Sequence, residues 1–232
     1  MLEVPLELEF VLAFVLALVP GLAIASGWAL NQHLCDIAAM AEPARKPTYT
    51  FAEYLAQEAT STIRHELLDG EIFAMSGGTI EHGAIAANVI RLLGNALLGK
   101  PCRVLTSDVR VRVLATGLAT YPDVSVACGS LERDPEDANT VINPAVLVEV
   151  LSDSTEAYDR GEKFAHYRRI PSLQDYLLVS QHEMLIEHYR RSDDGTWILR
   201  DVRPPDVVRL SIGCELSVAE AYQNPLAPAA SR

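Results

Sequence analysis

Beyond Thr50 the apolar positions recur with a period that switches between helical and extended spacing, and each switch marks an element boundary. Thr50-x-x-Glu53 reads as a capping box that opens a short helix to about Glu58. Residues 64–68 and 71–75 read as two strands joined at Asp69-Gly70, a dipeptide that tolerates the positive φ angles of a tight hairpin. Ser76-Gly77-Gly78 is a loop, and Thr79 caps a helix over residues 80–98. Along that helix Ile85, Val89, Leu92, Leu93, Ala96 and Leu97 form one stripe for packing on a sheet, with His82 at the inward edge of the first turn. Alternation then returns over residues 102–106, 108–114 and 121–127. In the middle strand Val109, Val111 and Val113 face one side, with Asp108, Arg110 and Arg112 on the other. Residues 131–143 are polar, with no defined element, and residues 145–151 form a buried strand.

A charged helix is predicted over residues 154–169, opened by Asp153-x-x-Glu156, weakened by Gly161 and stopped by Ile170-Pro171. Strands follow at residues 175–179, 184–190, 197–202 and 207–212, with a turn at Asp193-Asp194-Gly195. Ser217-x-x-Glu220 opens a last short helix, and residues 224–232 read as a frayed, disordered tail. Interleaved helices and strands predict an α/β (α+β) fold, a mixed central sheet flanked by helices with additional β-hairpins. The pattern fits one domain over residues 48–222.

The first forty residues differ in kind. Residues 10–25 are almost wholly apolar, about 16 residues and so short for a spanning helix. Glu3, Glu7 and Glu9 precede them and no Lys or Arg occurs before Arg45, so the basic flank of a secretory signal is missing. A membrane anchor, a signal peptide and an over-extended reading frame with Met40 as the true start all remain open. Residues 1–39 are expected to be dispensable for folding. A net charge of -12 disfavours nonspecific nucleic-acid binding by the molecule as a whole, while leaving room for a local site. The four cysteines show no zinc-ligand spacing and read as reduced, mostly buried thiols of a cytoplasmic protein.

One feature of the buried strand calls for chemistry. Glu149 sits amid Val and Leu, and a buried carboxylate is costly unless something pairs with it. On that strand Glu149 shares a face with Leu147 and Leu151, while Asp123 shares its face with Tyr121 and Ser125. If the two strands are neighbours, both carboxylates project from one sheet face and repel unless a cation lies between them. Oxygen ligands of this kind suit Mg²⁺ or Mn²⁺. Lys163, on one helix face with Asp159 and Tyr167, can bring an ammonium alongside. Arg110 and Arg112, with Arg168 and Arg169, read equally as phosphate contacts or as solvated surface.

Pro122-Asp123 followed by Glu149-Val150-Leu151 resembles the split motif of the PD-(D/E)XK nuclease superfamily, the restriction-endonuclease-like fold. The wider context resembles the Uma2 family of endonucleases. It comprises Glu66-Leu67-Leu68-Asp69-Gly70-Glu71, His82, Tyr121-Pro122-Asp123, Glu149-Val150-Leu151-Ser152, Asp159-Arg160-Gly161-Glu162-Lys163 and Gln174-Asp175-Tyr176. The resemblance implies a metal-dependent endonuclease in which Asp123 and Glu149 hold Mg²⁺ (or Mn²⁺), Lys163 assists the water or phosphate, and His82 and Glu66 are auxiliary. The implied partner is a nucleic acid, DNA ahead of RNA, in the cytoplasm. A homodimer is left open, and no membrane partner is expected unless residues 1–39 form an anchor. The superfamily pattern places Lys two residues after the acid, and this chain has Leu151 there, so the cation must come from the next helix. Two rivals follow: a non-catalytic nucleic-acid-binding or interaction module that keeps the fold, and a metal-dependent phosphohydrolase of small substrates.

Overall fold

The computed structural model describes residues 48–75 and 77–224. The expectations for residues 1–39 and for the tail from residue 225 onward lie outside the described residues. No described helix is long and apolar enough to cross a membrane.

Helix α1 (Phe51–Glu58) opens with the expected reciprocal box. The Thr50 hydroxyl accepts from the Glu53 backbone N–H, and Glu53 accepts in turn from the Thr50 backbone. Strands β1 (His65–Leu68) and β2 (Glu71–Ala74) then form an antiparallel hairpin. Its turn holds Asp69 at φ 49° and Gly70 at φ 80°, the left-handed region that an Asp-Gly pair tolerates best. Helix α2 (Ile80–Ala96) is capped by Thr79 and buries Ile85, Val89 and Leu93, as its apolar stripe predicts.

Six strands make the larger sheet. They are β3 (Cys102–Thr106), β6 (Val124–Cys128), β8 (Val146–Val150), β9 (Asp175–Val179), β10 (Ile186–Arg191) and β11 (Trp197–Val202), in the order β11-β10-β9-β8-β6-β3. Within this sheet β8 and β9 pair in parallel and the other neighbours are antiparallel. A second sheet joins β2 and β1 to β5 (Ala119–Thr120), β4 (Arg110–Arg112) and β7 (Thr140–Val141), and β12 (Val207–Leu210) pairs with β13 (Cys214–Ser217). The fold is therefore mixed α/β, with sheets flanked by helices.

The alternation on β8 divides the core. Val146, Val148 and Val150 pack with the α2 stripe, with the β12–β13 hairpin and with α5 (Val218–Ala221). Leu147 and Leu151 belong to a second cluster with Tyr167, Tyr176 and Leu178. Each fully buried aliphatic side chain of this kind contributes about 1.5–3 kcal/mol, so a one-residue slip of β8 would exchange its two faces and be strongly disfavoured.

Several elements differ from the sequence pattern, each for a physical reason. The run over residues 108–114 is strand only at Arg110–Arg112, because residues 106–109 turn, with Val109 N–H bonded to the Thr106 carbonyl. The polar stretch over residues 131–143 contains β7, a two-residue strand too short for a periodicity signal. β13 was also not read from the sequence. The predicted helix over residues 154–169 is three pieces: α3 (Glu156–Tyr158), a π-helical turn (Asp159–Lys163) and α4 (Phe164–Tyr167). Its N-cap is Thr155, and the expected Asp153–Glu156 box does not form. Cys102 and Cys128, which are register partners on β3 and β6, form a disulfide, which corrects the reading of these two as free thiols. Cys214 is free and buried.

Candidate active site

The β6–β8 register places Val124 opposite Val148 and Ser125 opposite Leu147, so Asp123, one residue before β6, falls opposite Glu149. The Val150 backbone N–H donates to Asp123 Oδ2 at 2.8 Å, pinning that carboxylate to the end of β8. His82, in the first turn of α2, places Nε2 3.1 Å from the same oxygen. Two features seat this imidazole. Gln181 contacts the Thr79 hydroxyl at 2.7 Å and donates to the Leu151 carbonyl at 2.5 Å, tying the start of α2 to the end of β8. Gly78 passes so close to the ring that a β-carbon there would lie 2.8 Å from Nδ1, so a larger residue would push the imidazole from its place. The hydrogen bond to Asp123 raises the His82 pKa above its usual value, against the opposing effect of burial.

Glu149 is 4 % exposed and accepts from the Tyr167 hydroxyl at 2.8 Å on Oε1. Lys163, also 4 % exposed, places Nζ 3.0 Å from Glu149 Oε1, 3.2 Å from Glu66 Oε1 and 3.3 Å from Asp159 Oδ1. Its backbone lies in the π-helical turn, centred on Gly161, which buries both Asp159 and Lys163. Turns of this kind are rare and recur at functional sites. The Tyr176 hydroxyl bonds the Asp159 carbonyl and helps hold the turn against β9. Glu66 also accepts from the Thr120 hydroxyl at 2.5 Å and from Tyr158 at 3.2 Å.

Burial pushes the Glu149 carboxyl up to about 8; Lys163 opposes the shift, while Asp159 and Asp123 add to it. Burial likewise raises Asp159. For Lys163 burial acts against the charge, but Glu149, Tyr167, Glu66 and Asp159 outweigh it and hold the ammonium protonated. The cluster thus carries one fixed cation facing three acidic side chains, and Glu149 holds its proton more tightly than an ordinary carboxyl does.

All five residues singled out from sequence line one cleft of about 960 Å³: Glu66, His82, Asp123, Glu149 and Lys163. Lys163 is not part of a solvated ion-paired face, which belongs instead to Arg160 with Glu156 and Glu187. Glu66 does not pair with Arg64, whose partner is Asp108. Arg110 and Arg112 are not available as phosphate contacts, because both are engaged inside the protein with Asp137 and Asp134 respectively. Leu151 is 3 % exposed within the apolar cluster. Sequence reasoning overlooked Thr120 and Tyr158, which carry no local signal. Asp159, which the sequence places on the helix face of Lys163 without a role of its own, belongs to the cluster through its contact with that lysine.

Asp123 and Glu149, which face one another across β6 and β8, offer oxygen donors of the type that suits a hard cation. The contacts of Asp123 fall on Oδ2 and those of Glu149 on Oε1, so Oδ1 and Oε2 are the oxygens a divalent ion would take. Among the described residues no group of three or more His, Cys, Asp or Glu forms a ready-made cage. Mg²⁺ is ordinarily held by one or two carboxylates, with water and phosphate completing its shell.

Residues 51–219 match the model of the Uma2 family, described as "Putative restriction endonuclease". The chain belongs to the Uma2 family. Two similar proteins come from Synechocystis sp. "Uncharacterized protein slr1290" is 40 % identical over 179 residues, covering 77 % of this chain and 93 % of that protein. "Uncharacterized protein sll1609" is 34 % identical over 153 residues, covering 66 % and 86 %. Among solved structures, a "putative nuclease belonging to DUF820" from Anabaena variabilis shares the fold. Its TM-score is 0.62 at 20 % identity, over 75 % of this chain and 97 % of that one. The Uma2 match spans every residue of the cleft discussed above.

Proposed function

We propose that this Uma2 protein is a Mg²⁺-dependent endonuclease that hydrolyses phosphodiester bonds of DNA. The observation that carries this reading is the meeting of Asp123, Glu149 and Lys163 in one cleft, from separate elements and against the cost of burying them. Asp123 and Glu149 would hold Mg²⁺ or Mn²⁺. Such an ion supplies Lewis acidity toward the phosphate and a more acidic bound water. Lys163 Nζ, fixed by three carboxylates, stabilises negative charge developing on the phosphate. His82 holds Asp123 in position, and Glu66 holds Lys163. Because Glu149 is pushed up to about 8, cation binding at neutral pH requires that its proton leave.

One observation favours a second reading, a nucleic-acid-binding module without turnover. Leu151 occupies the strand position of the superfamily lysine, and Lys163 is held in ion pairs. The purified full-length chain, incubated with plasmid, single-stranded DNA, RNA and a generic phosphodiester in Mg²⁺, Mn²⁺ or EDTA, separates the readings. Metal-dependent nicking of DNA that disappears in Asp123→Asn and Glu149→Gln upholds the nuclease. Binding without cleavage in either metal upholds the module. Turnover of the small diester alone would make the protein a phosphohydrolase. Mg²⁺ is also expected to raise the melting temperature by mass action. An unchanged metal response in both variants would remove the metal site.

A further inference from the structure

The β1–β2 hairpin presents an unusual face to the cleft. Antiparallel partners project to the same side, and Glu66 is the register partner of Phe73. The same side carries Arg64, Leu68 and Met75, all lining the cleft, while Leu67 and Ile72 turn to the α1 core. The ring of Phe73 therefore lies one strand beyond a carboxylate that contacts Lys163. It is 46 % exposed, on a strand paired on one side only, and Ile63 at 55 % exposure lines the same cleft.

The charges of the cleft oppose a duplex substrate. Five carboxylates line it, and among its described lining residues the permanent cations are Arg64 and Lys163. Arg64 is paired with Asp108 and Lys163 with three carboxylates. Duplex binding depends chiefly on rows of Lys and Arg that neutralise two phosphate strands. A single strand brings one row of phosphates rather than two, and part of its binding comes from aromatic rings on which bases stack, since every base has a π-face.

We propose that Phe73 is a stacking platform, and that the preferred substrate is unpaired DNA. A base next to the scissile phosphate lies on the Phe73 ring, with Met75 and Ile63 beside it, while the phosphate reaches Lys163 and the Asp123–Glu149 pair. The inference rests on the nuclease reading for its location, but it can fail separately. An unstacked strand supplies apolar contact that compensates for the scarcity of cations, and paired bases cannot reach the ring. Phe73 is a specificity-determining residue here, and takes no part in the proton or charge chemistry.

The test uses the full-length chain with one oligonucleotide sequence as single strand, as duplex and as duplex with an unpaired gap. Binding is measured in EDTA and cleavage in Mg²⁺. The single strand and the gap should bind and cleave at least about tenfold better than the duplex. Phe73→Ala should weaken single-strand binding by about tenfold with no change in melting temperature or in the weak duplex binding, and Phe73→Tyr should restore it. In Phe73→Trp, saturating single strand should quench fluorescence beyond the wild-type signal, a readout that a merely structural role would not move. Equal cleavage of duplex and single strand, with Phe73→Ala unaltered, overturns the platform and leaves the nuclease reading intact. Absence of cleavage on every substrate, with Phe73-dependent binding retained, would sink the nuclease reading and uphold the platform.

Discussion

Two clusters of buried charge in this protein have opposite characters. Around Arg110 the guanidinium donates to Tyr54 at 3.2 Å, Asp137 at 2.7 Å, Thr140 at 3.1 Å and Tyr121 at 2.6 Å. Tyr121 passes the network on to Glu58, which also holds His65. Neighbouring Arg112 pairs with Asp134 and Glu136 and stacks over the Phe51 ring. A guanidinium keeps its proton, and its planar fork fixes each acceptor in place. Around Lys163, by contrast, a single ammonium serves three carboxylates on the wall of an open cleft, and Glu149 is pushed up to about 8. The arginine cluster joins α1 to the second sheet through the four hydrogen-bond acceptors of Arg110. The lysine cluster is short of positive charge and faces the cleft. Burial alone marks neither as functional; unmet charge beside a cleft is what makes the lysine cluster the candidate site.

Removing one partner from each cluster tests this contrast most directly. Arg110→Ala leaves Glu58 and Asp137 without their cation and should destabilise the fold by about 3–5 kcal/mol. Denaturant titration should show the same loss with and without Mg²⁺. A loss restored by Mg²⁺ would place Arg110 among the metal-responsive groups and erase the distinction.

Lys163→Ala should slow DNA cleavage by roughly 10²-fold or more. It should also lower the melting temperature in EDTA, because three carboxylates are left facing one another, and Mg²⁺ should recover much of that loss. Leu151→Lys combined with Lys163→Ala should regain part of the rate if a lysine from β8 reaches the same point. Full activity of Lys163→Ala would leave the cluster without a catalytic cation.

A further effect should appear in the pH dependence of stability. The folded-state pKa of Glu149 lies above its unfolded value, so the stability it confers is complete below about pH 4.5 and is lost as pH rises through about 8. Relative to wild type, Glu149→Gln in EDTA should therefore gain stability steadily across that window, by at most about 1.4 kcal/mol per pH unit. A constant difference between the two proteins would mean that Glu149 titrates normally. The smallest expected change is at the cap of α2. Thr79→Ala should cost about 1 kcal/mol and, by loosening the turn that carries His82, slow cleavage more than that loss of stability accounts for.

Much of the fold was legible because local patterns and tertiary packing agree. The α2 stripe, the Asp69-Gly70 turn and the two faces of β8 follow from apolar spacing and turn chemistry, which depend on neighbours in the chain. The same alternation put Asp123 and Glu149 on faces that could meet. Where residues 108–114 and 154–169 were misread, tertiary contacts prevailed over local pattern: Arg110 turned inward to Tyr54 and Asp137, and the helix widened at Gly161.

By itself the sequence determined that Glu149 would be buried on an apolar strand, that Leu151 could supply no cation, and that Lys163 shared a helix face with Asp159. Those conclusions need only the two-residue period of a strand and the turn of a helix. The tertiary structure alone decided that Lys163, Glu66 and Glu149 meet within 3.2 Å, and that His82 reaches Asp123. It also decided that Arg110 and Arg112 are internal ties, and that Phe73 stands beside Glu66 at the cleft. Each of these joins residues far apart in the chain, and such distances are set by strand order and register, which local periodicity does not encode.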